Sequence, residues 1–381
     1  MITRTIFSSI LTKIKAKKQK AIIIYGARQV GKTTLVKQIK DNFEGKSEYY
    51  NCDFLDVQDF FSYSKAQFLL DKIKHLQLLI LDEAQRIENI GLVLKILIDS
   101  LPELQIIATG SSSFDLSNKI NEPLTGRKIV YQLFPFSFEE LHAEKNYLEQ
   151  QRTIPRQLIL GSYPQVALSN ENEGIDILKE ITNSYLFKDI YTFQQLRKPE
   201  LLIKLLRLLA FQIGSQVSYS ELAKTLQVDQ TVVQRYLHLL EEAYVIFRLS
   251  SYKQNLRNEI GKSNKFYFWD IGIRNALIQN FNPLDLRDDN GGLWENFLIS
   301  ERLKFLANHS ISLNAYFWRT FEQKEIDLIE ERNGKLFAYE MKWSNTKKNS
   351  IPKMFSEAYP NAEFKNISQD NFAEFLTKER F

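Results

Sequence analysis

A single cysteine, Cys52, in a chain of 381 residues excludes a disulfide framework and a zinc ribbon. Four histidines leave little for a histidine-based metal site. No run approaches the ~18 uninterrupted apolar residues that a membrane span requires, and no basic-then-apolar leader opens the chain, so a cytoplasmic location is expected. Internal repeats and low-complexity segments are missing as well. The net charge of +4 and pI near 8.7 fall short of the strong basic balance of many nucleic-acid binders, which permits such a partner without requiring one. The positive charge is uneven: Lys13, Lys15, Lys17, Lys18 and Lys20 form a basic N-terminal stretch. They read either as an arm facing phosphate or another subunit, or as the wet side of a helix. What is abundant is apolar bulk: 44 % of residues are hydrophobic, with 27 Phe and 17 Tyr, enough to fill the interiors of the two or three domains this length calls for.

The organising stretch is Gly26-Ala27-Arg28-Gln29-Val30-Gly31-Lys32-Thr33, which follows the apolar run 21–25 and leads through Thr34 into a helical pattern. Strand, glycine loop and helix in this order, with the spacing G-x-x-x-x-G-K-T, form a P-loop that cradles phosphate with backbone N–H groups and a helix N-terminus. Residues 26–34 are therefore the candidate ATP site, with Lys32 placed for the β- and γ-phosphates and Thr33 for Mg²⁺. An ordinary glycine turn is the plainer alternative.

A second apolar run, 77–81, ends in Asp82 and Glu83. Asp82 suits Mg²⁺ through water, and Glu83 is the natural general base for a water attacking the γ-phosphate. An acid directly after the metal-binding aspartate marks a hydrolase; the plainer alternative is that the pair caps the next helix. Strands and helices alternate through this region, which predicts an α/β fold with a parallel sheet. Thr109 closes another strand at the same edge and reads as a sensor of γ-phosphate or its water. Arg127, with no acidic neighbour in sequence, is either an arginine finger offered to an adjacent subunit or a surface arginine bound to a carboxylate.

The ordered set of these motifs with Leu124-Thr125-Gly126-Arg127, Phe134-Pro135-Phe136-Ser137-Phe138, Gly161-Ser162-Tyr163-Pro164, 266–275 and Trp294-Glu295-Asn296-Phe297 resembles the prokaryotic AAA+-type P-loop ATPases with an uncharacterised C-terminal half. The Thr109-Gly110-Ser111-Ser112-Ser113 turn belongs to that set. The resemblance implies an AAA+-like core, a winged-helix middle and a C-terminal α/β domain similar to restriction-endonuclease-like, PD-(D/E)xK folds. It also implies the finger role for Arg127. The expected boundaries are 1–150 for the ATPase core, 151–213 for a helical lid, 214–270 for the winged helix and 271–381 for the nuclease-like domain.

Within the middle region, 219–226 and 230–240 read as two helices around a turn, with Leu222, Leu226, Val232, Val233, Tyr236 and Leu237 facing a small core. Thr231, Gln234, Arg235 and His238 fall on the outer side of the second helix, as DNA-contact candidates or as a protein-contact face.

Residues 325–342 read as a β-hairpin closed by Asn333-Gly334, which favours a two-residue type I′ turn. That turn sets Asp327 opposite Glu340 and Glu325 opposite Lys342, all four on one face by strict alternation. Opposed carboxylates at Asp327 and Glu340 call for a divalent cation, Mg²⁺ or Mn²⁺, with Lys342 beside it. Asp, then Glu-x-Lys, also resembles the pattern of restriction-endonuclease-like nucleases, a resemblance that implies Glu295 on the preceding helix as a third acid, with Ile326 where proline is common. The plain alternative is an exposed hairpin with a Glu325–Lys342 ion pair.

Taken together, these readings predict an oligomeric ATPase, expected as a hexamer, that uses ATP and Mg²⁺ and acts on DNA, branched or junction DNA first. An ATP-gated metal-dependent nuclease and a non-enzymatic ATP switch holding a protein partner are the other two readings.

Overall fold

The structure is a computed structural model that describes every residue except 1, 17–19, 63–65, 111–119, 121, 186–198, 253–263, 321, 345–349 and 381. Lys17, Lys18 and Ser111 to Ser113 therefore lie outside the described residues. The chain divides into two compact units, residues 1–135 with 242–244, and 136–241 with 245–381. The first unit thus closes at 135 rather than at 150.

In the first unit five parallel strands, β1 Ala21–Tyr25, β2 Ser47–Asn51, β3 Leu78–Asp82, β4 Gln105–Gly110 and β5 Lys128–Gln132, run in the order β2-β3-β4-β1-β5. Every residue of β1, β3 and β4 is buried, the reason these segments read as unbroken apolar runs rather than alternating ones. The helices are α1 Thr5–Lys15, α2 Lys32–Asp41, α3 Leu55–Phe60, α4 Ala66–Ile73 and α5 Ile90–Ser100. α1 docks through one stripe, Ile6, Ile10 and Ile14, and leaves Lys13 and Lys15 exposed. The carboxyl ends of β1, β3 and β4 share one edge, where open α/β sheets bind their ligands.

The second unit carries α6 Phe138–His142, α7 Tyr147–Leu160, α8 Pro164–Ala167, α9 Glu171–Glu180, α10 Pro199–Phe211, α11 Tyr219–Leu226, α12 Gln230–Glu242, α13 Ile271–Leu277, α14 Asn290–Asn308, α15 Lys353–Ala358 and α16 Phe372–Thr377. Its strands are β6 Gln216–Val217, β7 Ile246–Ser251, β8 Asn264–Phe268, β9 Asn314–Arg319, β10 Glu325–Arg332, β11 Lys335–Met341 and β12 Glu363–Ile367. All seven form one mixed sheet in the order β12-β11-β10-β9-β7-β8-β6. The boundary expected at 270/271 does not separate two sheets, because β7 pairs in parallel with β9 through Ser250–Tyr316 and Ser251–Phe317.

Among the described residues, two hydrophobic clusters include side chains of this sheet. Trp294, Phe297 and Leu298 of α14 pack with Phe317, Leu328, Tyr339, Met341 and Phe375, whereas Trp318, Ile326, Ile329, Ala338 and Phe355 form a smaller cluster. α14 is buried nearly all round, charges included. Arg302 Nε lies 2.7 Å from Glu330 Oε1 with both side chains inaccessible, and its other nitrogens donate to the carbonyls of Phe375, Lys378 and Glu379.

Candidate functional site

The phosphate loop joins β1 to α2, and its two glycines serve different ends. A Cβ on Gly26 would stand 2.2 Å from the Leu133 carbonyl oxygen, so only glycine passes there. Gly31 caps α2 with φ +95°, a left-handed backbone that side chains disfavour. Lys32, only 5 % exposed, lies within the loop and donates from Nζ to the carbonyls of Gly26 and Ala27, both at 3.0 Å. Thr33 Oγ1 donates to Asp82 Oδ2 at 2.7 Å, so the two residues expected to share a metal already meet.

Asp82 is buried and receives three hydroxyls: Thr33 and Tyr49 on Oδ2, each at 2.7 Å, and Thr109 on Oδ1 at 2.5 Å. Thr109 Oγ1 also accepts the Glu83 N–H at 3.0 Å. Thr109 thus locks the two acids in register, a use different from free access to phosphate. Glu83 has φ 55° and ψ 43° and makes no capping bond with its side chain, which sets aside the helix-cap alternative. Its Oε2 accepts from Gln85 Nε2 at 2.6 Å and its Oε1 lies 4.0 Å from Lys32 Nζ. Burial, then the neighbouring Asp82, holds the Tyr49 hydroxyl above its ordinary pKa, so it stays a donor.

Arg127 finds its acid 28 residues back: Nε donates to Asp99 Oδ1 at 3.0 Å, in a pair with both side chains exposed. Such pairs contribute roughly 0–1 kcal/mol and are easily given up.

In the second unit, α11 and α12 meet at Gln227, whose φ is 54°. Leu222, Leu226, Val233, Tyr236 and Leu237 are buried and Val232 is half-buried, while Thr231, Gln234, Arg235 and His238 are all exposed. The short β6 and the longer β7 both pair antiparallel with β8 beside these helices.

The hairpin turns at Asn333 (φ 51°) and Gly334 (φ 71°), and pairs Leu328 with Tyr339 and Arg332 with Lys335, the expected register. Two expectations fail beyond it. Toward β9 the register slips between Ile326, opposite Trp318, and Ile329, opposite Tyr316, which leaves Asp327 and Leu328 facing Phe317 alone. This bulge breaks strict alternation and re-aims Asp327. Its carboxylate lies with those of Glu295 and Glu325 so that one oxygen of each falls within 4.8 Å of the others. Lys342 pairs with Glu340 at 2.7 Å, not with Glu325. Glu325 instead pairs with Arg319 at 3.2 Å and with Lys265. Glu340 is a fourth acid near enough to bear on Asp327.

α14 presents Glu295 by a clasp at the next residue. Asn296 donates to the Phe268 carbonyl and accepts its N–H, both at 2.8 Å, fixing the helix on β8. Glu295 then meets Tyr267 at 2.6 Å and Lys265 at 3.0 Å, with Gly214 leaving room for it. Burial, then Glu295 and Glu340, raises the Asp327 carboxyl well above its usual range, tempered by Lys265 and the Met341 N–H. Burial alone would lower the Lys265 ammonium, but Glu295 and Glu325 outweigh it. Neither Lys265, which arrives from a strand 60 residues before Glu325, nor Tyr49 carries a mark in the sequence. Gln85 lies two residues beyond Glu83 and carries no role that its spacing alone announces.

Residues 18–142 match the model of an AAA domain, 151–284 that of a domain of unknown function, DUF8612, and 290–372 that of another, DUF4143. An uncharacterised protein of Methanocaldococcus jannaschii is 26 % identical over 380 residues, 93 % of this chain and 82 % of its own. One of Mycobacterium tuberculosis is 27 % identical over 330 residues, 85 % and 70 % of the two chains. A Walker-type ATPase of Pyrococcus abyssi shares the fold at TM-score 0.50 and 15 % identity, over 73 % of this chain and 96 % of that one. Sequence match and site geometry agree on an AAA+-type P-loop ATPase domain. Among the described residues, no helix is long and apolar enough to cross a membrane.

Proposed function

We propose that this chain hydrolyses ATP to ADP and phosphate in order to act on DNA, branched or junction DNA first, as a cytoplasmic oligomer that closes as a hexamer. The observation that carries hydrolysis is Glu83: a left-handed glutamate costs about 1–3 kcal/mol, which a mere surface acid would not justify, and its carboxylate is aimed by Gln85 beside Lys32. Lys32 exchanges the carbonyls of Gly26 and Ala27 for the β- and γ-phosphates. Glu83 takes a proton from the attacking water as its oxygen bonds to γ-phosphorus and the bond to the β-phosphate oxygen breaks. Thr109 keeps Asp82 and Glu83 in register, and Arg127, leaving Asp99, serves the neighbouring subunit's nucleotide. The hydroxyl of Thr33 and the carboxylate of Asp82 are hard oxygen donors that fit Mg²⁺. That ion, when bound, supplies charge neutralisation on the phosphate oxygens.

For DNA, the support is the exposed row Thr231, Gln234, Arg235 and His238 on the second of two helices packed beside β6, β8 and β7, the order of a winged helix. A gel-shift panel of linear, forked and four-way DNA, with and without ATP, tests it, together with the salt dependence of DNA-stimulated turnover. Retention of a branched form that weakens steeply with salt is expected. No retention at low salt and no stimulation would leave the protein-binding ATP switch in its place.

The grouped acids favour a second reading, a metal-dependent nuclease under ATP control. Glu295, Glu325 and Asp327 offer oxygens to Mg²⁺ or Mn²⁺, and Glu340 with Lys342 completes the PD-(D/E)xK-like set. Calorimetric Mn²⁺ titration of wild type and Asp327→Ala, with a cleavage assay on branched DNA, decides it. Equal heats from both proteins would rule out a metal on these acids.

A further inference from the structure

On the outer side of the phosphate loop, within the same unit, stands an arginine that no motif marks. Arg4 precedes α1 in extended backbone and is 5 % exposed. Its Nη2 donates to the Val30 carbonyl in a buried hydrogen bond spanning 26 residues. A Cβ built on Gly31 would lie 3.6 Å from the same nitrogen, so the guanidinium sits against the loop's second half.

The loop's geometry explains what such a donor does there. Gln29 (φ 61°) and Gly31 (φ 95°) are both left-handed, and this pattern turns successive N–H groups inward to form an anion nest. The price is that carbonyls such as that of Val30 turn away from the nest and need a donor of their own. Lys32 serves the carbonyls of Gly26 and Ala27 from within, but must leave them to meet phosphate. Arg4 serves Val30 from outside and has no reason to leave. Its own position is secured by the Ile6, Ile10 and Ile14 stripe of α1 and by Ser9 Oγ, 2.9 Å from the Tyr131 hydroxyl on β5.

We infer that Arg4 is a positioning residue of the phosphate site. It holds Val30 and Gly31 in the conformation whose N–H groups face a nucleoside polyphosphate, and its charge adds to the field that draws that anion in. The inference rests on the reading of residues 26–34 as an ATP site.

The test measures fluorescent-ATP affinity and steady-state hydrolysis for wild type, Lys32→Ala, Arg4→Met, Arg4→Gln and Arg4→Lys. Arg4→Met keeps the buried stem and removes the donors. It should raise Kd and KM for ATP about tenfold, the usual scale for a lost charge-assisted hydrogen bond, while kcat stays within about threefold. Arg4→Lys should recover most of that loss, a rescue that a purely packing role does not give. Arg4→Gln is the neutral variant to read should Arg4→Met fail to fold. Wild-type Kd and KM in either folded neutral variant would overturn the role of Arg4. Failure of wild type to bind nucleotide, or undiminished binding by Lys32→Ala, would instead sink the ATP reading itself.

Discussion

The hydroxyl of Thr109 lies 2.5 Å from Oδ1 of Asp82 and, through the same oxygen, accepts the N–H of Glu83. One side chain on β4 therefore sets both the direction of the metal-binding acid and the backbone from which the base projects. Thr109→Val removes the donor and the acceptor with little change in volume. Turnover should fall by roughly tenfold or more, as loss of a buried charge-assisted bond implies, while Thr109→Ser retains most of it. Steady-state hydrolysis of the three proteins at saturating ATP is the measurement. Wild-type turnover in Thr109→Val would make the threonine a bystander.

Lys32→Ala and Glu83→Gln are expected to differ in kind. The first should abolish nucleotide affinity, because it removes the buried ammonium that lies against the Gly26 and Ala27 carbonyls within the loop. The second should bind ATP normally and slow its hydrolysis by roughly 10²-fold or more, as loss of a positioned general base does. Filter binding alongside phosphate release separates the two effects. Hydrolysis by Glu83→Gln at the wild-type rate would move the base elsewhere.

Arg127→Ala should leave nucleotide binding nearly intact and lower turnover only in assembled protein. The exposed Asp99 pair holds Arg127 too weakly to keep it from a neighbouring site. Mixing inactive Arg127→Ala with inactive Glu83→Gln should restore activity at interfaces where one subunit supplies the finger and the other the base. Absence of recovery despite measured subunit exchange removes the role in trans.

Acid sensitivity of the second unit is predicted at His142. Burial is the main cause that pushes its imidazole down to about 4, with Nδ1 on the Phe138 carbonyl at 2.9 Å and Nε2 on the Thr153 hydroxyl at 2.6 Å. An unfolded histidine titrates near ~6.5, so between those values the unfolded chain binds a proton that the folded one refuses. Stability is whole above ~6.5 and declines toward pH 4, by up to about 3 kcal/mol. Urea unfolding at pH 7, 5.5 and 4.5 should show a shallower acid decline in His142→Gln. An unchanged slope would assign the decline to other groups.

How far the chain could be read in advance depended on how local each signal is. The P-loop and the Asp82-Glu83 pair were legible because their spacing along the chain is itself the geometry, with a strand before each and a tight turn after. The hairpin register was legible because Asn333 and Gly334 both tolerate positive φ and leave one way to close the turn. The bulge at Asp327 was not, since it answers to β9, a strand whose register no short motif fixes. Nor was the burial of Lys265 among acids, or the pairing of Arg127 with Asp99, each made by elements far apart in sequence. Arg4 was hidden because its partner, the Val30 carbonyl, lies 26 residues further along the chain.

The parallel pairing of β7 with β9 has a practical consequence for dissecting the chain. A fragment starting at residue 271 would carry α14 and β9 to β12 without β7, β8 or β6. One flank of β9 would then lie bare, its N–H and C=O groups open to any passing strand, a recipe for aggregation. Glu295 would lose Lys265 and Tyr267 together, leaving the grouped carboxylates with no buried counter-charge from β8. Such a fragment, if soluble at all, would report on a different electrostatic environment, so its affinity for a cation would say little about the whole chain's. Cutting instead between residues 135 and 136 keeps all seven strands in one piece.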